Sequence, residues 1–157
     1  MPYLVNSIGH VQLNVTDMAA VVRDATNILG LHVTRAEGRQ TWLTSNGRKA
    51  ELVLHSADAN AVRCIGFEAV SPEAVQEVSR RVPLAGCRLL SEKPSLDCCA
   101  AGVMFATPQG HMFEVHTPIP DQIYGRRHFA PGVGAIRIDH VNITSPDTLE
   151  TLSLIHI

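Results

Sequence analysis

The pattern of apolar and polar positions predicts a strand and a helix near the start of the chain. Apolar and polar residues alternate over residues 10–15, and a period of two is typical of a strand with one buried face. Over residues 18–29 the apolar residues recur at helical spacing. Asp17 or Thr16 can cap this helix at its start, and Gly30 can end it.

Three strand-like runs follow the predicted helix, at residues 31–35, 40–45 and 49–55. Asn46-Gly47 separates the last two runs, and this dipeptide favours a two-residue hairpin turn. The sequence therefore predicts one βαβββ module over about residues 6–56.

The same order of elements then recurs over about residues 62–117, which predicts an α+β fold of two βαβββ modules. Ser71 and Pro72 provide a cap followed by proline at the first helical position. The second set comprises a strand at 64–70, a helix that Pro83 and Gly86 end, and strands at 87–90, 101–106 and 111–116.

A third copy of the first strand begins near the end of the chain. Ile138-Asp-His140-Val-Asn-Ile repeats the pattern of Ile8-Gly-His10-Val-Gln-Leu at an offset of 130 residues. A stretch rich in proline and glycine precedes it, which is typical of a linker. We therefore predict an N-terminal domain at 1–117, a linker at 118–135, and at 136–157 the start of a further domain with a strand over 136–143.

Composition excludes several classes of function. The net charge is −2 and 45% of the residues are hydrophobic, with no basic stripe that would favour nucleic acid and no apolar run long enough for a membrane span. The four cysteines follow no disulfide framework, which indicates thiols in a reducing cytoplasm. Cys98-Cys99 falls in a predicted loop, either as a reactive pair or as two ordinary thiols. His111, His116 and His128 have no partner at ligand spacing, so we expect surface or capping roles for them.

Paired modules of this kind resemble the vicinal oxygen chelate (glyoxalase/bleomycin resistance) superfamily. The motifs that carry the resemblance are Ile8-Gly-His-Val, Cys64-Ile-Gly-Phe-Glu, Thr107-Pro-Gln-Gly-His-Met-Phe-Glu-Val-His and Arg137-Ile-Asp-His-Val-Asn. With the linker and the third copy, the chain is similar to the type I extradiol ring-cleavage dioxygenases of this superfamily, which are enzymes of aromatic hydrocarbon catabolism. The resemblance implies a curved mixed sheet and, for the whole protein, cleavage of catecholic substrates with O2 by a homo-oligomer.

The resemblance also implies Fe(II), or occasionally Mn(II), bound by two histidines and one glutamate in the C-terminal half. This set leaves positions open for the substrate and for O2. His140 matches the first histidine, and the other two ligands would follow Ile157. The ending at Leu154-Ile-His-Ile157 suggests a truncated gene, and we expect this chain alone to be inactive and to hold no metal.

The first half contains four residues at positions where isomerases of the superfamily bind metal: His10, Glu51, Cys64 and Glu114. A thiolate beside carboxylates and an imidazole is an unusual donor set for Ni(II), Mg(II) or Fe(II). We therefore interpret these residues as a vestige of gene duplication. Two alternatives remain, a non-catalytic module that binds small molecules such as antibiotics, and a metal-dependent isomerase or lyase similar to glyoxalase.

Overall fold

The computed structural model describes residues 3–121, 132–135, 137–147 and 149. The predicted linker and the predicted third copy are therefore covered only in part. Residues 122–131, 136, 148 and 150–157, as well as 1–2, lie outside the described residues.

The chain divides into two compact units. The first module consists of His10–Arg63 and the described residues between Ile119 and Ile138. The second module consists of the described residues up to Gly9, Cys64–Pro118 and the described residues from Asp139 onwards. Both modules therefore include segments that lie outside the predicted boundaries of 6–56 and 62–117.

The first module contains one helix packed on a four-stranded mixed sheet. The sheet order is β2-β3-β4-β1, with β1 parallel to β4 and the other neighbours antiparallel. Val15, Ala25, Leu31, Leu43 and Leu54 form its buried apolar cluster. The elements are β1 (Val5–Val15, which belongs to this module from His10 onwards), α1 (Met18–Asn27), β2 (His32–Glu37), β3 (Gln40–Thr44) and β4 (Leu52–Ser56).

The second module repeats this arrangement in the order β5-β8-β7-β6, with β5 parallel to β8. Val75, Val78 and Val82 on its helix pack into a buried cluster with Phe105 and Phe113. The predicted α+β fold of paired βαβββ modules is therefore confirmed. The elements are β5 (Ala61–Ala69), α2 (Pro72–Leu84), β6 (Arg88–Ser91), β7 (Gly102–Ala106) and β8 (Met112–His116).

Both helices begin at the predicted caps. The carboxylate of Asp17 accepts a hydrogen bond from Ala20 N at 2.9 Å, and the hydroxyl of Ser71 accepts one from Ala74 N at 3.2 Å. α2 ends at Leu84, between the two residues predicted to end it: Pro83 lies inside the last turn, and Gly86 follows with a φ of 75°. A proline there removes only one helical hydrogen bond, so the helix continues for one more residue. Neither described helix has the length and apolar character needed to cross a membrane.

The predicted Asn46-Gly47 hairpin turn is also wrong. β3 ends at Thr44 and β4 begins at Leu52, so residues 45–51 form a longer loop. Gly47 is not among the described glycines with a positive φ angle, which the two central residues of this turn type require. Glu51 organises this loop instead, as the next subsection describes.

The third copy does not form the predicted strand over its described residues. Residues 137–145 have no strand pairing, and a strand requires a neighbour that shares its backbone hydrogen bonds. Val141 and Ile143 instead pack against the apolar cluster of the second module, and Thr144 O lies 2.9 Å from His111 Nε2.

Candidate functional site

His140 lies on the exposed side of an extended segment. Val141 and Ile143 are half-buried, whereas His140, Asn142 and Thr144 are exposed. Polar and apolar side chains therefore alternate along this segment, although the predicted strand is absent from its described residues. The imidazole Nδ1 lies 3.8 Å from the Asp139 carboxylate.

Glu51 is buried at the end of the loop that precedes β4, where its carboxylate gathers the donors of that loop. It accepts hydrogen bonds from Ser45 N at 2.7 Å, from the Ser45 hydroxyl, and from Asn46 Nδ2 at 2.7 Å. Arg48 Nη2 forms an ion pair with it at 2.7 Å. Burial acts to raise the pKa of Glu51, but the hydrogen bonds from Ser45 and Arg48 outweigh burial and hold the pKa below its ordinary value.

Glu114 is fully buried in the middle of β8, between two residues of the apolar cluster, and faces away from that cluster. Its carboxylate accepts a hydrogen bond from Ser95 N at 2.8 Å and another from the Ser95 hydroxyl. Gly102 leaves room for this contact, because a Cβ atom there would lie 3.0 Å from Glu114 Oε1 and 2.7 Å from Pro94 Cα.

His10 is buried on β1 at the end of a row of hydrogen-bonded side chains, which we call the polar row. Gln12 lies between the two histidines, with Nε2 at 3.0 Å from His10 Nε2 and Oε1 at 2.8 Å from His55 Nε2. His55 Nδ1 lies 3.4 Å from Gln40 Nε2, and Gln40 Oε1 accepts from Trp42 Nε1 at 3.4 Å. The row therefore crosses β1, β4 and β3 within the first module.

The indole of Trp42 can only donate, so it fixes the direction of every bond in the polar row. Gln40 then donates to His55 Nδ1, His55 donates from Nε2, and Gln12 donates to His10 Nε2. Burial and the charge of Arg63 lower the pKa of His55, which favours the neutral ring that this pattern needs. The Nε2 lone pair of His10 is therefore already used as an acceptor.

Each of the four residues of the predicted vestigial site is either hydrogen-bonded within the protein or fully buried. His10 and Glu51 belong to the first module, and Val11 N donates to Glu51 O at 2.8 Å, yet their side chains reach different partners. Cys64 is fully buried on β5, two residues before Gly66, the residue paired with Glu114. Among the described residues, no group of three or more His, Cys, Asp or Glu side chains is arranged to hold a metal ion.

Sequence reasoning missed the polar row and the role of His116. The row depends on strand register, such as the pairing of Gln40 with His55, and only the alternating polar positions hinted at it. The surface or capping role expected for His116 is wrong, because it is fully buried with Nδ1 2.7 Å from Thr117 O. His128 lies outside the described residues.

Comparison with known proteins identifies the family. The model of the Glyoxalase/Bleomycin resistance protein/Dioxygenase superfamily matches residues 7–115. The chain belongs to this superfamily. The resemblance inferred from the sequence motifs is therefore confirmed at the level of the superfamily.

Relatives of known activity within the superfamily are dioxygenases and a glyoxalase. Metapyrocatechase of Pseudomonas sp. (strain CF600) is 27% identical over 93% of this chain and 52% of its own length. A variant of homoprotocatechuate 2,3-dioxygenase from Brevibacterium fuscum has a TM-score of 0.84 at 21% identity, covering 96% of this chain and 43% of that chain. The Mn(II)-bound glyoxalase from Novosphingobium aromaticivorans has a TM-score of 0.72 at 25% identity, over 81% of this chain and 43% of that one. The chain thus spans about half the length of the curated relative it matches.

Proposed function

We propose that this chain is the N-terminal part of an Fe(II)-dependent extradiol dioxygenase that opens catechol-type diols with O2. The observation that carries the proposal is the order of its parts. Two complete βαβββ modules are followed by Arg137-Ile-Asp-His140-Val-Asn, which starts a third copy. The similarity to metapyrocatechase over 93% of this chain and 52% of its own length supports the same order.

His140 is the residue we assign to the metal in the whole protein. Its imidazole is exposed and extends from the polar face of its segment. In the whole protein it could therefore bind a metal together with ligands from other residues. Non-haem Fe(II) oxygenases need two imidazoles and one carboxylate around the metal. The described residues do not provide that set, so we derive no reaction step from them.

The first half then serves as a scaffold. Glu51 and Glu114 bind loop donors, and His10 accepts from Gln12. The hydrogen bond from Gln12 occupies the Nε2 lone pair of His10, and the loop donors hold the two carboxylates in place. We therefore assign these residues to stability and not to chemistry.

A ring-fission assay tests the activity of this chain. The protein is loaded with Fe(II) without air and mixed with catechol and 3-methylcatechol, and the coloured product and O2 uptake are measured. Metapyrocatechase serves as the positive control for the assay. We expect no product above the protein-free blank, and ring fission by this chain would contradict the scaffold assignment.

Sequencing the gene beyond the codon for Ile157 tests the dioxygenase proposal itself. We expect the extended reading frame to encode a further histidine on a strand and a closing-strand glutamate. The extended protein should bind one Fe(II) and lose both the iron and ring fission in His140→Ala. An extended protein that keeps its iron and its activity in this variant would refute the assignment of His140.

The Mn(II)-bound glyoxalase among the structural relatives favours a second candidate, a metal-dependent isomerase or lyase. That function would need His10, Glu51 and Glu114 as ligands. It predicts that this chain binds Mn(II) or Ni(II) and that His10→Ala abolishes the binding. The contacts of Glu51 and Glu114 with Ser45 and Ser95 argue for the scaffold instead.

A further inference from the structure

Two adjacent cysteines lie in the loop between β6 and β7. Cys98 is half-buried and Cys99 is buried, and both belong to the second module. Cys99 N donates to Leu96 O at 3.1 Å, which closes a turn with Cys98 at one of its two central positions. One sulfur of the pair is thus within reach of solvent and the other is not.

The contacts of Cys99 define its role. Its sulfur lies 3.5 Å from His116 Nδ1, and that nitrogen also lies 2.7 Å from the carbonyl oxygen of Thr117. A carbonyl only accepts, so Nδ1 carries the proton and can also donate it weakly to the Cys99 sulfur. Cys98 directly precedes Cys99 in the chain, so the two thiols are neighbours.

The environment of Cys99 favours the neutral thiol. The hydrogen bond with Cys98 and burial, with the charges of Glu114 and Glu68 as smaller contributions, raise the pKa of Cys99. Cys99 is therefore held as a protonated thiol next to Cys98 in the chain. This is the arrangement of an attacking cysteine at the surface and a resolving cysteine behind it.

We propose that Cys98 and Cys99 form a redox-active dithiol that a peroxide converts into a disulfide between adjacent residues. The two other cysteines of the chain do not share this arrangement. Cys64 is fully buried and Cys87 is 6% exposed within the apolar cluster of the second module. Of the four cysteines, all of them described, only Cys98 is not buried.

The chemistry balances with hydrogen peroxide as the oxidant. The Cys98 thiolate attacks one peroxide oxygen, an S–O bond forms, the O–O bond breaks, and the leaving hydroxide takes a proton to become water. The Cys99 sulfur then attacks the sulfenic sulfur, an S–S bond forms and the S–O bond breaks. The hydroxyl leaves as water with the proton of Cys99, so two thiols and one peroxide give one disulfide and two waters.

Adjacent residues cannot adopt relaxed disulfide geometry, and strained disulfides are the more easily reduced ones. We therefore expect a dithiol reductant to reverse the oxidation. Tryptic cleavage isolates the pair, because the peptide 89–126 contains Cys98 and Cys99 and no other cysteine.

Peptide mass analysis after treatment of the folded protein with hydrogen peroxide tests the proposal. The expected result is a loss of two hydrogens confined to peptide 89–126, reversed by dithiothreitol, while Cys64 and Cys87 remain thiols. Cys98→Ser should leave Cys99 unoxidised, because the exposed attacking sulfur is gone. The matched control Cys87→Ala removes a buried thiol outside the pair and should leave the oxidation of peptide 89–126 unchanged.

Titration with phenylarsine oxide gives a second measurement that does not depend on how variants fold. The reagent links two neighbouring thiols with release of one water, so we expect one arsenic per chain on peptide 89–126. Oxidation to sulfinic acid without the two-hydrogen loss, disulfides between chains, or prior reaction of Cys64 or Cys87 would overturn the proposal.

Discussion

The two modules each contain a buried glutamate near their parallel strand pair, and each glutamate binds a serine through both its backbone N–H and its hydroxyl. In the first module Glu51 binds Ser45, six residues away, and Arg48 completes the site with a positive charge. In the second module Glu114 binds Ser95, nineteen residues away. The comparison shows how a buried carboxylate can organise a loop, through a local contact in one module and a contact distant in sequence in the other.

The largest effect should come from Glu51→Ala. The variant leaves the Arg48 guanidinium half-buried without its carboxylate, and removing one partner of a buried ion pair costs about 3–5 kcal/mol of unfolding free energy. Urea unfolding measures the loss. Glu51→Gln is the matched control, because it keeps the shape and one acceptor, and it should lose clearly less stability than Glu51→Ala.

Gly102→Ala should have the next largest effect and should act on the second loop. The added Cβ would lie 2.7 Å from Pro94 Cα, and overpacking of this kind costs about 1–3 kcal/mol. The double variant Gly102→Ala/Ser95→Ala shows whether the loss of unfolding free energy arises through the Ser95–Glu114 contact. Less than additive losses would place Gly102 and Ser95 in one network, and strict additivity would separate Gly102 from the Glu114 contact.

Ser45→Ala and Ser95→Ala compare the two loops directly. Each variant removes one hydroxyl bound to a carboxylate but keeps the backbone donor of the same serine, so the cost should be about 0.5–1.5 kcal/mol. Ser79→Ala serves as the control, because its hydroxyl binds Glu92 at an exposed position and should contribute much less. If Ser45→Ala and Ser95→Ala cost as little unfolding free energy as Ser79→Ala, the hydrogen bonds to the two buried carboxylates do not stabilise the loops.

The smallest effect is a difference in pH dependence. The pKa of Glu51 is lowered from its ordinary value of 4.5 in the folded chain. The charged carboxylate therefore contributes stability that is fully present above pH 4.5 and is lost as the pH falls through the folded pKa. The stability difference between the native chain and Glu51→Gln, measured by urea unfolding, should shrink below pH 4.5; a difference that stays constant down to pH 3 would contradict this.

The sequence predicted the elements well because each has a short-range signal. Alternation marks β1, helical spacing marks α1, and Ser71-Pro72 marks the start of α2. The Asn46-Gly47 turn failed because the nearby Glu51 carboxylate binds the loop donors, and local turn preference is weaker than a buried carboxylate with five donors. The pattern of apolar and polar residues does not show that Glu51 competes with the turn for the loop donors.

The candidate site was predicted less completely. His10, Glu51 and Glu114 were identified by position, but their partners depend on which strands are neighbours. Ser95 is nineteen residues from Glu114, and the polar row requires the pairing of Gln40 with His55. These contacts depend on the course of a loop and on the register of the sheet, which the spacing of single residues does not specify.

The central claim is that the first half is a scaffold and that the metal site of the whole protein begins at His140. Metal content after anaerobic loading with Fe(II) or Mn(II) and desalting tests it most directly. The account predicts much less than one metal per chain, with the same value in His10→Ala. One firmly held metal per chain that is lost in His10→Ala would contradict it.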